Sequence, residues 1–425
     1  MLKSLDAVLP SLVALLAVAV VAIGPLGPIA GVPTAQAQIL VVLALVALAF
    51  YSSSRPQAAA VPRPVLLYAA VSIVLFWWLM ISSAWTLSQA QFRNDITSLW
   101  LLIALVLALT FSLTPGSVRR LLRYGCLASA ALGVYILSGY LLSGDFSGYT
   151  SVVRNFYLGA AMAVGIGAVG ASLQWLVAEQ PRWPWGLAAL LLLPALALSL
   201  ARGALISATL VILLFALLAL LSRPPGAGSS GRRDRLLGLG LVLAALSLTV
   251  FMAFQVDFTR AKLEELLAGE IGERQAIWET ALASVEEAGL VGHGLGSSGL
   301  ISEGRESGYP HNLFLQVWLD AGLLGLLALL LIALLPFYLF LRRLWRRDLR
   351  HDLRHSLHQD LAWLPFLGIY LFLLLEYSKS FNFYSARSLF IFGICAVWLL
   401  SSDPRTQRRA RAELPPPRVS FENWR

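Results

Sequence analysis

Six basic residues stand apart from the chain's main blocks of Lys and Arg, each near the end of a predicted helix, where a positive charge has a moderate cost at a bilayer: Arg154, Arg202, Arg274, Arg305, Lys379 and Arg387. They come from separate parts of the chain, so only folding can bring them together. An arginine guanidinium is planar, keeps its charge and bonds phosphate oxygens in pairs. If the fold gathers these residues, they form a site for an anion with several oxygens.

A simpler interpretation is that some of these cations form ion pairs with carboxylates in the loop. Ion pairs with Glu270, Glu273, Glu303 or Glu306 would account for Arg305 in particular. Arg202 is different, because its sequence neighbours are apolar or small. Both interpretations stay open from sequence alone.

His311 is the candidate for proton transfer. It follows Pro310 and precedes Asn312 at the start of an apolar run. The pKa of an unperturbed imidazole is about 6.5. The helix dipole at this end lowers that pKa and so favours the neutral base. A histidine at a helix start is also a common cap-region residue. With the arginines, and with Asn312 in support, we interpret His311 as a general base for a sugar hydroxyl.

Composition requires a membrane around these residues. The 425-residue chain is 58% hydrophobic and 13% charged, with a mean hydropathy of +0.75. Soluble proteins carry about 25% charged residues. The net charge of +9 is distributed in short blocks between apolar runs, which indicates membrane topology and not a nucleic-acid surface. We therefore expect an all-α polytopic membrane protein with no nucleic-acid partner.

Apolar runs long enough to cross a bilayer, about 17–25 residues, predict twelve transmembrane helices. They lie near 9–30, 37–53, 64–84, 97–114, 121–142, 155–178, 184–201, 203–222, 236–256, 312–341, 361–378 and 385–401. Most of the 32 Lys and Arg residues then fall on the side of both termini. The positive-inside rule makes that side cytoplasmic, so we expect an inner-membrane protein with both termini in the cytoplasm.

The predicted organisation has four parts. Residues 1–256 hold helices 1–9, 257–311 form a periplasmic loop, 312–401 hold helices 10–12, and 402–425 form a basic cytoplasmic tail. The loop is long enough to carry its own structure and function. It should contain two short helices, one over 259–267 and one with Ile277, Ala281 and Val285 on a single face.

Two other patterns are weaker. Gly294 to Gly299 match GxGxxG, but they follow a predicted helix and not a strand, so we expect a flexible hinge and no nucleotide cofactor. No D-x-D sequence is present to bind a metal for sugar transfer. We expect no metal and no other cofactor.

One segment resembles a known family. His311-Asn312, nine residues and then Gly322-Leu323-Leu324-Gly325 fit the pattern H-[NSQ]-x9-G-x-x-[GTY] of bacterial O-antigen ligases (WaaL). Residues 274–278 and 292–296 resemble the same family's periplasmic loop. Arg202-Gly203 resembles a position in the wider ligase and polymerase superfamily. By motif the resemblance covers roughly residues 190–330.

The resemblance implies a fold similar to the C-type glycosyltransferases. It also implies transfer of a glycan from undecaprenyl diphosphate to the lipid A–core acceptor on the periplasmic face. In this interpretation Arg202 and Arg274 bind the diphosphate, with Arg154 and Arg387 as further candidates. His311 takes the acceptor proton, Asn312, Lys379 and Arg305 support the site, and displacement inverts the sugar carbon without a metal.

Three other functions remain. A Wzy-type polymerase uses the same donor with another glycan as acceptor, and a pilin-type O-oligosaccharyltransferase uses a protein. A flippase or transporter of lipid-linked glycans belongs to another class. Transporters tend to carry charges at the bilayer midplane and internal repeats, whereas here the charges border one face.

Overall fold

The computed structural model describes residues 2–26, 33–54, 61–143, 151–177, 183–199, 201–221, 273–306, 308–348 and 358–402, with isolated positions between 239 and 264. All regular secondary structure in these ranges is helical. The fold class predicted from composition is therefore confirmed: the protein is an all-α polytopic membrane protein.

In the part of the chain that the structure describes, eight helices precede residue 222, and they are numbered here in chain order. They are α1 (Leu2–Leu26), α2 (Thr34–Ser53), α3 (Arg63–Ser82), α4 (Gln89–Ser112), α5 (Pro115–Ser143), α6 (Ser151–Val177), α7 (Trp183–Ala197) and α8 (Arg202–Leu221). Only Leu198 to Ala201 separate α7 from α8, so a short break does divide the continuous apolar sequence there.

Six more helices follow. They are α9 (Glu273–Ala283), α10 (Val285–Ala288), α11 (Ser297–Glu303), α12 (Leu313–Asp348), α13 (Leu364–Tyr377) and α14 (Arg387–Ser401). Short 3-10 turns lie at Ser83–Trp85, His358–Trp363 and Phe383–Ser385.

Apolar helices agree with the predicted spans wherever the structure describes them. Seven are long enough to cross a membrane, and four shorter ones lie at Val8–Gly24, Trp183–Ala197, Leu361–Tyr377 and Arg387–Ser401. The predicted span 236–256 and the loop helix at 259–267 lie almost entirely outside the described residues, as does the tail from 403.

The loop helices dock on α12 through a small apolar core. Trp278 and Ala281 of α9, with Val285, pack against Leu315 and Leu319 of α12. Ala281 and Val285 are on the face that the sequence predicted. This contact fixes the loop on the helix that His311 precedes.

A backbone break in α12 explains the Gly322 of the family pattern. Gly322 has φ 68° and ψ −167°, so the helix ladder is interrupted there. Trp78 donates to the freed carbonyl of Ala321 at 2.8 Å, and Leu323 N donates to Gly289 O at 3.0 Å. Inside a membrane, broken helix bonds need such protein partners.

The GxGxxG segment packs closely beside this break. Gly294 N donates to Asp320 O at 3.0 Å, and Thr86 donates its hydroxyl to Leu295 O at 2.7 Å. A Cβ on Gly294 would lie 2.5 Å from Thr86 Cα. The expected hinge is thus a turn bonded on both sides, which begins α11.

We predict that Gly322→Ala destabilises the protein. The substituted Cβ would lie 2.3 Å from the carbonyl of Leu290, in a backbone conformation that costs a non-glycine residue about 1–3 kcal/mol even without overlap. Thermal unfolding in detergent should show a lower midpoint. Gly139→Ala is the matched control, because a Cβ there meets nothing within 4 Å; equal midpoints for the two variants would contradict the prediction.

Candidate functional site

The site is built around the start of α12. Asn312 is the N-cap, since its Oδ1 accepts hydrogen bonds from Phe314 N at 3.0 Å and Leu315 N at 3.1 Å. His311 therefore lies one residue before the cap, with a φ of 50°. Asn312 thus caps the helix and holds its first turn.

Neighbouring residues fix the position of His311. Trp278 of α9 donates to Pro310 O at 2.8 Å, and Tyr309 donates its hydroxyl to Ser380 O at 3.2 Å. The rings of Tyr309 and His311 are in contact, with centroids 4.2 Å apart. The imidazole side chain is 24% exposed; its Nε2 lies on the side of Glu303, and its Nδ1 is buried with no hydrogen-bond partner among the described residues.

Arg274 of α9 binds the same segment as Tyr309, at Lys379 and Ser380. Its Nη1 donates to Lys379 O at 2.6 Å and to Ser380 Oγ at 3.2 Å. Within the described residues, its guanidinium is thus held by a carbonyl and a hydroxyl, and not by a carboxylate. Its charge is not neutralised by these partners.

The electrostatics of His311 reflect this neighbourhood. Burial lowers the pKa of His311 below its ordinary value, and the positive charge of Arg274 lowers it further. Glu303 and the Ser380 backbone act in the opposite direction. The sequence predicted a lowered pKa from the helix dipole, but burial and Arg274 are the causes.

Lys379 joins α8 to the end of α13. Its ammonium donates to Gly203 O at 2.6 Å and to Ser207 Oγ, and it lies 2.7 Å from the Glu376 carboxylate. Lys379 therefore joins the start of α8 to the end of α13 through two hydrogen bonds and one ion pair.

Arg202 lies beside this junction. It is the first residue of α8, next to the Gly203 carbonyl that Lys379 binds, and it is partly buried. The same Lys379 gives its own carbonyl to Arg274. Arg202 and Arg274, both predicted to bind the diphosphate, thus belong to segments that each hydrogen-bond to Lys379.

We predict that Lys379→Met destabilises the fold. Glu376 is only 1% exposed, and an unpaired charge there costs about 3–5 kcal/mol. Thermal unfolding should show a large loss, and the double variant Lys379→Met/Glu376→Gln should recover much of it. If the double variant is no more stable than the single one, the ion pair is not what the lysine provides.

Arg387 faces a groove at the start of α14. The groove holds about 1100 Å³ of empty space, partly open, between α1, α2, α6 and residues 381–388. Val20, Leu158 and Met162 are among its apolar lining residues. Arg387 donates only a long bond, 3.5 Å, to Ser98, and its buried Nε has no hydrogen-bond partner among the described residues.

Tyr157 connects this groove to the His311 cluster. It lines the groove and also acts electrostatically on Tyr309. Burial raises the pKa of the Tyr309 phenol; Arg274 lowers it, and Glu303 and Tyr157 raise it. Tyr157 therefore lines the groove and lies close enough to Tyr309 to affect it.

Two predicted residues are not brought into this cluster by any described contact. Arg305 is exposed in the turn after α11. Arg154 lies in α6, but its side chain is outside the described part of the chain. Glu270 is also outside it, so its suggested ion pairs are untested.

Sequence reasoning missed Tyr309, Ser380 and Trp278, and it considered Glu303 only as a partner for arginine. Glu303 instead accepts a hydrogen bond from Tyr309 N at 3.1 Å and lies 3.8 Å from His311 Nε2. The available signals were the aromatic residue two positions before His311 and the tryptophan that ends the motif at 274–278. The other contacts join residues far apart in sequence.

Together these features define a multi-pass helical membrane protein with a cationic site beside a histidine and an apolar groove. Residues 187–330 match a family model described as O-antigen ligase. That segment, about a third of the chain, is therefore similar to the O-antigen ligase family. The match includes Arg202, Arg274 and His311, whereas Arg154, Lys379 and Arg387 lie outside it.

One curated relative is also similar. A Haemophilus influenzae protein, named only "Uncharacterized protein", is 33% identical over 85 residues. The alignment covers 17% of this chain and 21% of the relative. The chain thus matches about a fifth of that protein's length, and the relative's name adds no activity.

Proposed function

We propose that this protein is an O-antigen ligase of the bacterial inner membrane. It transfers a glycan from undecaprenyl diphosphate to a hydroxyl of the lipid A–core acceptor. The site faces the periplasm, and both termini are cytoplasmic. The observation that carries the proposal is the convergence of Arg274 and the Tyr309–His311 segment on Lys379 and Ser380.

The proposed chemistry is a direct displacement with inversion. The acceptor oxygen forms a bond to the anomeric carbon while the bond from that carbon to the phosphate oxygen breaks. His311 receives the acceptor's proton, and undecaprenyl diphosphate leaves with the bonding electron pair. A histidine with a lowered pKa suits this role because it is neutral at physiological pH.

Arginine provides the charge that the leaving diphosphate needs. Positive groups aimed at developing charge are often the largest contribution to catalysis. Arg274 carries such a charge beside His311, and Arg202 adds one at the start of α8, where helix N–H groups also favour anions. Arg154 and Arg387 are the further candidates. We propose no metal in this reaction.

The groove supports a lipid-linked donor. Its apolar lining from α1 and α6 fits a polyprenyl chain, and Arg387 lies where the chain would meet its diphosphate. Tyr157 links this groove to the residues around His311. A donor bound here would have its lipid within the helices and its sugar next to the imidazole.

A cell lacking the protein tests the function. A ligase predicts lipopolysaccharide without long chains while the lipid-linked polymer accumulates. Chains that stop at one repeat would instead mean a polymerase, and unchanged lipopolysaccharide with an unglycosylated pilin would mean a protein transferase. Purified protein with a lipid-diphosphate donor and rough lipopolysaccharide separates these from a transporter, which forms no glycosidic bond.

A further inference from the structure

Glu303 is placed beside the imidazole by the end of α11. The helix stops at Glu303 because Gly304 adopts a φ of 66° and donates its N–H to Leu300 O. Its first turn is fixed to α12, since Ser298 N donates to Asp320 Oδ1 at 2.7 Å. The carboxylate is thus carried by a helix that is anchored to the same element as His311.

The carboxylate itself is closely packed. Oε1 accepts from Tyr309 N at 3.1 Å, and a Cβ on Gly308 would lie 2.9 Å from its Cδ. Its side chain is 16% exposed. Gly308, Tyr309 and His311 therefore all lie close to the Glu303 carboxylate.

The distance from Oε1 to His311 Nε2 is 3.8 Å. This is longer than a hydrogen bond, but it is within the range in which an opposite charge stabilises an imidazolium. Catalytic contacts are often long in the absence of substrate and shorten on binding. A small shift of either side chain would complete the bond.

We propose that Glu303 is a positioning residue for His311, orienting the imidazole and stabilising the imidazolium that forms when the acceptor proton is taken. The inference rests on the proposed function, because it assigns His311 the role of base. The same oxygen bonds Tyr309 N, so the carboxylate and the ring contact of Tyr309 act together on one imidazole.

The groups that face His311 come from four segments. Arg274 approaches from α9, Glu303 from α11, Tyr309 from the preceding turn and the Ser380 backbone from the segment after α13. Arg274 opposes protonation, whereas Glu303 and the Ser380 backbone favour it. Removing the carboxylate charge should therefore make the imidazole harder to protonate.

The test uses the full-length protein in detergent with Glu303→Gln, which keeps an oxygen to accept from Tyr309 N. Diethyl pyrocarbonate modifies neutral imidazole, and mass spectrometry of the peptide carrying His311 gives the pH midpoint without any transfer assay. We expect the midpoint to move to lower pH by about 0.5 or more. Transfer should fall about 10-fold or more, part of the contribution of a positioned base.

Two variants serve as controls. Glu306→Gln removes the same charge from an exposed position in the same turn and should leave the midpoint unchanged. Glu303→Asp keeps the charge and should restore most of the midpoint. An unchanged midpoint in Glu303→Gln, or an equal shift in Glu306→Gln, overturns the positioning role. A shifted midpoint in a protein with no transferase activity would refute the proposed function and leave the Glu303–His311 interaction standing.

Discussion

Replacing His311 with asparagine is expected to remove glycan transfer and leave the protein folded. A positioned general base contributes about 10²–10⁴-fold to a rate, so kcat should fall by that factor. Asparagine is the sharper choice because His311 has a φ of 50°, a conformation that asparagine tolerates well. His311→Ala should be equally inactive, but with some added backbone strain. The measurement is transfer from a lipid-diphosphate donor to rough lipopolysaccharide by purified protein.

The pH dependence of the wild-type enzyme provides a second measure of the same residue. A histidine acts as a base in its neutral form. Burial and the charge of Arg274 lower the pKa of His311 below its ordinary value, which is about 6.5. The rate should therefore be constant around neutral pH and fall only as acidification passes through that lowered pKa. A folded His311→Asn variant with near wild-type activity would remove His311 from the mechanism.

Arg202→Ala is expected to abolish transfer, with Arg202→Lys only slightly better. Loss of one group that stabilises developing charge costs about 10²–10³-fold in kcat. Lysine keeps the charge but lacks the planar pair of donors that grips two phosphate oxygens. Both variants should be assayed at saturating donor, so that weaker binding is separated from slower chemistry.

Arg93 provides the matched comparison for Arg202. It is an exposed arginine in the first turns of α4, on the side predicted to be periplasmic. Arg93→Ala and Arg93→Lys should keep wild-type transfer and thermal stability. If Arg202→Lys is as active as the Arg93 variants, Arg202 does not act through a paired contact with two oxygens of the diphosphate.

The membrane architecture could be predicted from sequence because it depends on local composition. Apolar runs define the helices, and even the short break before Arg202 is visible as an interruption by a charge and a glycine. The buried face of the loop helices α9 and α10 was also predictable, since Ala281 and Val285 recur at helical spacing. These features need no knowledge of long-range contacts.

The site could be predicted only in part, because its contacts are long-range. His311 and Arg274 were recognisable by residue type and by a motif. Their meeting point at Ser380 was not, since no local pattern connects Arg274 to a hydroxyl that follows α13. The cause of the lowered His311 pKa was missed for the same reason, as it comes from burial and a neighbour on another helix.

The bond from Arg274 to the Lys379 carbonyl has a consequence for biosynthesis. A ribosome makes the loop and His311 well before it makes Lys379, so the nascent chain carries the imidazole without the segment that fixes its surroundings. The site is assembled only when α13 has entered the bilayer and its end has met the loop. Premature termination anywhere between these two points should yield a membrane-inserted fragment unable to carry out the proposed transfer.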